Sequence, residues 1–214
     1  MFTIAVVAHN SRSSQAHKLR TDVRATYLTM DNGTLGCENN HRKAWKWLAD
    51  NAKTEWAVVL EDDAIPSNNF RDQLTQALTV APSDVVGLYL GHPDHWTPIP
   101  TRQQRVINAG EQANATDANW ILTQEFIHGV GIAIKTELVP DMLRNLNRPL
   151  PIDNSICKWA HKIGQPIALT WPSLVDHNDG PTLIKHRDGL PRKHERKAWN
   201  FGTRPAWTDK NVTL

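Results

Sequence analysis

The chain has 214 residues, 40% of them hydrophobic, and a formal net charge of +2. That length supports one α/β domain with a substantial core, the composition is that of a folded domain, and the near-neutral balance leaves bulk charge uninformative about partners. No apolar run approaches the ~20 residues of a membrane-spanning helix, and the N-terminal apolar run lacks the basic flank and cleavage site of a secretory signal, so a cytoplasmic protein with no membrane span is expected.

Phe2 to Ala8 reads as a first strand buried on both faces, followed by the polar loop His9-Asn10-Ser11-Arg12. Gln15 to Leu28 is expected to be helical, and Asp31-Asn32-Gly33-Thr34 is a turn signal. A helix from Glu38 or Asn39 to about Ala52 presents Ala44, Trp45, Leu48 and Ala52 on one face. Trp56 to Leu60 is the next strand, and Ser67 is placed to cap a helix from about Asn68 to Leu78. Val85 to Leu90 is another apolar strand. Gly91 to Asn119, with Pro93, Pro98 and Pro100, shows weak periodicity and reads as a long lid or substrate loop, with a short hairpin around Arg105 to Ala109 as a further option. Trp120 to Leu122 and Val130 to Ile134 follow as strands, Thr136 to Leu146 and Asp153 to Ile163 as helices, and Ile167 to Trp171 as a last strand. Strands alternating with helices predict an α/β fold with a mostly parallel central sheet flanked by helices. Residues 1–182 are expected to form the domain, and 183–214 an irregular basic extension packed on or extending from it.

The run Val58-Val59-Leu60-Glu61-Asp62-Asp63 carries the most chemistry. A buried strand that ends in adjacent carboxylates is costly unless a cation or a set of donors offsets them. A hard divalent ion with phosphate ligands is the usual answer. Ligands of α/β sheets bind beyond the carboxyl ends of the strands, where both His9 to Arg12 and Glu61 to Asp63 fall. The alternative is an acidic loop that caps the following helix. Two cysteines, Cys37 and Cys157, show no spacing that signals a disulfide framework or a zinc site, and both are expected to be reduced and partly buried.

The block Gly36-Cys37-Glu38-Asn39-Asn40-His41-Arg42-Lys43-Ala44-Trp45, followed by Leu60-Glu61-Asp62-Asp63-Ala64, resembles glycosyltransferase family 25. His128-Gly129-Val130-Gly131 and Trp171-Pro172-Ser173-Leu174-Val175-Asp176-His177 agree with the wider class of GT-A enzymes. The resemblance covers about residues 1 to 178 and implies a Rossmann-like GT-A single domain. It departs from the family pattern at Glu38, Asn39 and Asn40 and in the basic tail.

The resemblance implies a metal-dependent transfer of a sugar from a nucleotide-diphosphate donor to an acceptor hydroxyl, with inversion. It places a divalent metal, Mn²⁺ or Mg²⁺, on Asp63, with His177 as a further ligand and Asp176 as a substitute. His9, Asn10, Arg12, Asp62 and His41 become candidates for donor binding; a buried, satisfied His41 is an equal alternative. His128, Gly129 and Gly131 fall on the acceptor side. Asp153 is the candidate catalytic base, with a helix N-cap as its equal alternative; Glu125 and Asp141 are weaker candidates.

The tail interleaves Lys185, Arg187, Arg192, Lys193, Arg196, Lys197, Arg204 and Lys210 with Trp199, Phe201 and Trp207. Such a segment either follows a nucleic-acid backbone or wraps the domain with its charges solvated. The acceptor is therefore left open among modified DNA, a glycan and a protein. Two other functions compete: a metal-dependent nucleotidyltransferase or phosphodiesterase, and a non-catalytic nucleic-acid-binding protein that uses the tail.

Overall fold

A computed structural model describes residues 1–96, 99–124, 128–146, 150–180 and 194–214. Pro98, Glu125, Lys185, Arg187, Arg192 and Lys193 lie outside the described residues.

The apolar runs form the expected frame. Strands β1 (Phe2–His9), β2 (Tyr27–Asp31), β3 (Trp56–Glu61), β5 (Val85–Gly87), β6 (Trp120–Thr123), β7 (Gly131–Lys135), β8 (Ile167–Thr170) and β10 (Asn211–Thr213) make an eight-stranded sheet in the order β10-β6-β8-β5-β7-β3-β1-β2. β4 (Ala64–Pro66) and β9 (Val175–His177) form a separate antiparallel ribbon. The helices are α1 (Ser13–Asp22), α2 (Cys37–Asn51), α3 (Phe70–Thr79), α4 (Pro100–Thr116), α5 (Val139–Asn145) and α6 (Ile152–Lys162).

The sheet is parallel through β3, β1 and β2 and between β5 and β8, whereas β7 runs antiparallel to both β3 and β5. The first strand leaves to β2 on one side, and the chain returns through α2 to β3 on the other. The carboxyl ends of β1 and β3 therefore flank a topological switch point, where a crevice opens in such sheets.

Strand alternation sorts the core into two layers. Ala5, Val7, Ala57 and Val59 pack with Trp45, Leu48, Ile156 and Trp159 on the α2–α6 face. Ile4, Val6, Val58 and Leu60 pack with Leu19, Val23, Phe70 and Leu74 on the α1–α3 face. With both faces covered, β1 and β3 read as near-continuous apolar runs.

Three stretches depart from the sequence expectation. Residues 15–28 divide into most of α1, which stops at Asp22, and the start of β2, because Arg24 takes a left-handed turn (φ 52°) between them. Much of the proposed 91–119 loop is the 17-residue helix α4, and the hairpin option around Arg105 is overturned. Its apolar stripe is Val106, Ala109, Gly110 and Ala113, a helical spacing built from small residues that carries little hydrophobic signal. Pro100 starts this helix and Asp117 ends it in the left-handed region. Ser67 does not cap α3; Asn69 precedes that helix, also left-handed.

The C-terminal residues are built into the domain. β10 pairs with β6 at the sheet edge, Trp207 donates to Gln73, and Arg204 donates to the carbonyls of Ala118 and Trp171. Trp199 packs edge-on against Trp171 and lies over Gly110, where an added Cβ would fall 2.1 Å from its ring. Among the described residues, no helix is long and apolar enough to cross a membrane.

Candidate active site

The alternation that sorts the core also sorts the carboxylates. Glu61 continues the Ala57–Val59 face and turns toward α2. There its Oε1 lies 3.1 Å from His41 Nε2. The chain then leaves the strand, and Asp62 turns toward the loop after β1. Its carboxylate accepts from the His9 backbone N–H at 2.8 Å and from Arg12 Nη1 at 3.0 Å. Asp63 also accepts from Arg12 Nη1, at 2.6 Å. The β4–β9 ribbon pairs Ala64 with His177, which brings His177 Nε2 to 3.3 Å from Asp63 Oδ2.

Asp62, Asp63 and His177 are all buried, and Arg12 is largely so. Burial pushes the Asp62 carboxyl above the usual carboxylate range, opposed by the His9 N–H and Arg12. Burial also works to raise Asp63, but His177 and Arg12 outweigh it and hold that carboxyl below its ordinary value. Asp63 Oδ1 and His177 Nδ1 are buried with no hydrogen-bond partner. Unsatisfied buried polar atoms are costly and mark places where a ligand completes the bonding.

These residues fit a divalent ion. Asp63 Oδ1 is the carboxylate oxygen left open to such an ion; Oδ2 already accepts from Arg12, and the His177 imidazole stands beside the same carboxylate, its Nε2 3.3 Å from Oδ2. Arg12 supplies positive charge at the same carboxylate. Asp176, the substitute ligand, is instead occupied by the tail: it accepts from the Ala198 N–H and lies 3.5 Å from Lys197 Nζ. Lys197 Nζ also donates to the His177 carbonyl.

On the α2 side, His41 is fully enclosed, with Nε2 against Glu61 and Nδ1 unpartnered. Burial disfavours its charged form, but the neighbouring Cys37 thiol and Glu61 carboxylate raise it to about 10. Gly129 lies between Glu61 and Asp153: a Cβ there would sit 3.5 Å from Asp153 Cβ and 3.6 Å from Glu61 Oε1. Pro151 holds the N-cap position of α6, so Asp153 is not the cap; it stands in the first turn and accepts from the Asn154 N–H. Burial, with the nearby Glu61 charge, pushes the Asp153 carboxyl above its ordinary range.

The remaining candidates separate. His128 is half-buried, its ring 5.6 Å from that of Tyr89. Asn10 is exposed on the turn after β1. Gly131 is buried in β7, where a Cβ would meet Leu60 and Val175 at 3.1 Å and Leu88 at 3.2 Å, so it permits close packing there. Asp141 is engaged with Trp159 and Arg144 on the far side of α5.

Two residues escaped sequence reasoning. Tyr89 is buried with its hydroxyl unpartnered, and its ring lies 6.4 Å from that of His177. Asp31 accepts backbone N–H bonds from Gly33, Thr34, Leu35 and Gly36 and so shapes the loop that opens α2. The Asp-Asn-Gly turn was its visible signal; nothing in the sequence marked Tyr89.

A mixed α/β sheet flanked by helices, with carboxylates at its switch point, defines a Rossmann-like single domain. Residues 4–155 match glycosyltransferase family 25 (LPS biosynthesis protein), and the chain belongs to that family. Membership makes it a glycosyltransferase and implies a nucleotide-sugar donor. No curated protein matches the chain. Among solved structures, A197 from STIV aligns over 87% of this chain and 100% of its own at 13% identity and TM-score 0.48. The bifunctional IspDF from Campylobacter jejuni aligns over 79% of this chain and 49% of its own at 11% identity and TM-score 0.41. The inositol-1-phosphate CTP transferase from T. maritima aligns over 79% of this chain and 65% of its own at 7% identity and TM-score 0.37. These likenesses are too weak to carry a function across.

Proposed function

We propose that this chain transfers a sugar from a nucleotide-diphosphate donor to an acceptor hydroxyl with the help of one divalent ion, inverting the anomeric carbon. The observation that carries this reading is the meeting of Arg12, Asp62, Asp63 and His177 at the switch point, with Asp63 Oδ1 buried there and unpartnered. Asp63 and His177 would hold the ion, Mn²⁺ in preference to Mg²⁺ because one ligand is an imidazole. When bound, it neutralises charge on the departing diphosphate, a Lewis-acid contribution of several kcal/mol.

Arg12 is the second positive group for the diphosphate, since a guanidinium suits phosphate oxygens. Asp62 holds Arg12 in place and, with the His9 turn, faces the nucleoside. Across the strand end, Asp153 accepts the proton of the attacking hydroxyl as the new glycosidic bond forms and the sugar–phosphate bond breaks. A carboxyl with a raised pKa is better matched to that task than an ordinary one. The acceptor approaches past His128 and Gly129; modified DNA, glycans and proteins are the classes to screen.

The test is a thermal-shift and hydrolysis panel of nucleotide-diphosphate sugars with and without Mn²⁺. Metal-dependent stabilisation by a donor, with slow donor hydrolysis, is expected. No response to any donor, together with salt-sensitive DNA binding, would overturn the proposal.

A further inference from the structure

Among the described residues, the His, Cys, Asp and Glu side chains that converge as potential metal ligands are Cys37, His41 and Glu61, whose donor atoms all lie within 4.8 Å of one another. This is not the Asp63–His177 pair. We propose that these three residues form a second cation site that takes zinc or a similar borderline divalent ion.

Local structure builds it. Cys37 is the first residue of α2 and His41 stands one turn later. Helical side chains lean toward the N-terminus, so the thiol and the imidazole share one side. Glu61 reaches the same point because it continues the strand face that packs on α2. Its Oε1 lies 3.1 Å from His41 Nε2, a separation that two ligands of one tetrahedral ion adopt.

The donor set is one sulfur, one nitrogen and one oxygen. Thiolate and imidazole select zinc-like ions, whereas the Asp63–His177 pair next door has no sulfur ligand and suits manganese. His41 is fully buried and its Nε2 already meets Glu61, so the ring is oriented toward the cluster. Cys37 is exposed, which opens the site to solvent and leaves a fourth position for water. Gly129 keeps the space beside Glu61 clear of a side chain.

Binding balances simply: the thiol and the imidazolium each release a proton, and both become ligands. The ion ties the start of α2 to the end of β3 and lies on the Asp153 side of the strand, away from Arg12. The site is independent of the donor reading, since it shares no ligand with Asp63 or His177.

The experiment is a Co²⁺ titration of the reduced, chelator-stripped full chain, read by absorbance. A thiolate-to-cobalt charge-transfer band with tetrahedral visible bands is expected at an equimolar end point. Cys37→Ser removes the band and weakens Zn²⁺ binding by more than tenfold, at least what losing an outer-shell partner costs. Glu61→Gln weakens Zn²⁺ binding while keeping the sulfur band, and Asp63→Asn leaves band and affinity unchanged. Absence of the band at saturating Co²⁺, or its persistence in Cys37→Ser, overturns the proposal. Loss of transfer in Asp63→Asn with the band intact separates a failure of this site from a failure of the donor site.

Discussion

Glu61 and Asp62 are neighbours in sequence, yet they belong to two different electrostatic environments. On the Asp62–Asp63 side, the positive charge comes from a long, permanently charged guanidinium reaching over from the loop after β1. On the Glu61 side it comes from a fully enclosed imidazole on α2. The comparison teaches that a run of acids at a strand end is no single site. Each carboxylate is delivered to its own partner, and each partner implies a different ligand chemistry.

The largest effect expected is on the diphosphate side. Asp63→Asn should lower transfer by ~10²-fold or more, the rate equivalent of several kcal/mol of metal stabilisation, with the folded spectrum retained. Wild-type turnover in that variant would break the assignment. Asp153→Asn should also reduce transfer by about 10²–10⁴-fold, the range of a lost general base, while donor binding by calorimetry is kept.

The sign of the Asp153 stability effect follows from its raised pKa. Between the unfolded value and the higher folded one, the native state holds more protons, so stability falls as pH rises through that window. At neutral pH the charged side chain costs stability, and Asp153→Asn should unfold at a temperature no lower than wild type. In the wild-type enzyme the acid limb of kcat/KM should lie above the ordinary value of about 3.9. A marked fall in stability with turnover retained would make Asp153 structural only.

Arg12→Gln sharpens the contrast, because it strips the cation from one side only. Asp62 and Asp63 are then left buried together, at a cost of about 3 kcal/mol in urea unfolding. Mn²⁺ bound at Asp63 and His177 should restore much of that loss, by more in Arg12→Gln than it adds to the wild type. Gly110→Ala forces a methyl group against Trp199 and should cost about 1–3 kcal/mol, loosening the tail that steadies β9. The smallest effect belongs to Asp31. Four backbone N–H groups, led by that of Leu35 and working against burial, hold its carboxyl below the ordinary value. Its contribution is present above the unfolded pKa and lost as pH falls through the lower folded one. Asp31→Asn should therefore flatten the acid limb of the stability profile.

Much of the frame was legible because strands buried on both faces write themselves as apolar runs: β1, β3 and β8 follow Phe2, Trp56 and Ile167 closely. The α4 helix was not, because Ala109, Gly110 and Ala113 pack through smallness and leave little amphipathic contrast. β7 was visible as a strand, but its antiparallel course was not, since direction depends on tertiary connection. In the site, adjacency and motif pointed to Asp62, Asp63, Arg12 and His177, which do meet. The pairing of Glu61 with His41 was not legible, because His41 lies 20 positions upstream and only alternation along β3 aims one at the other. Tyr89 and Asp176 draw their surroundings from residues distant in sequence, and no local pattern announces that.

The most direct test of the central claim is a crystal soaked with Mn²⁺ and a nucleotide-diphosphate sugar, with the metal located by anomalous scattering. A manganese peak is expected on the Asp63 carboxylate and His177 imidazole, with the donor's diphosphate on the ion and beside Arg12. A diphosphate bound elsewhere, or manganese found only at Cys37, His41 and Glu61, would contradict it.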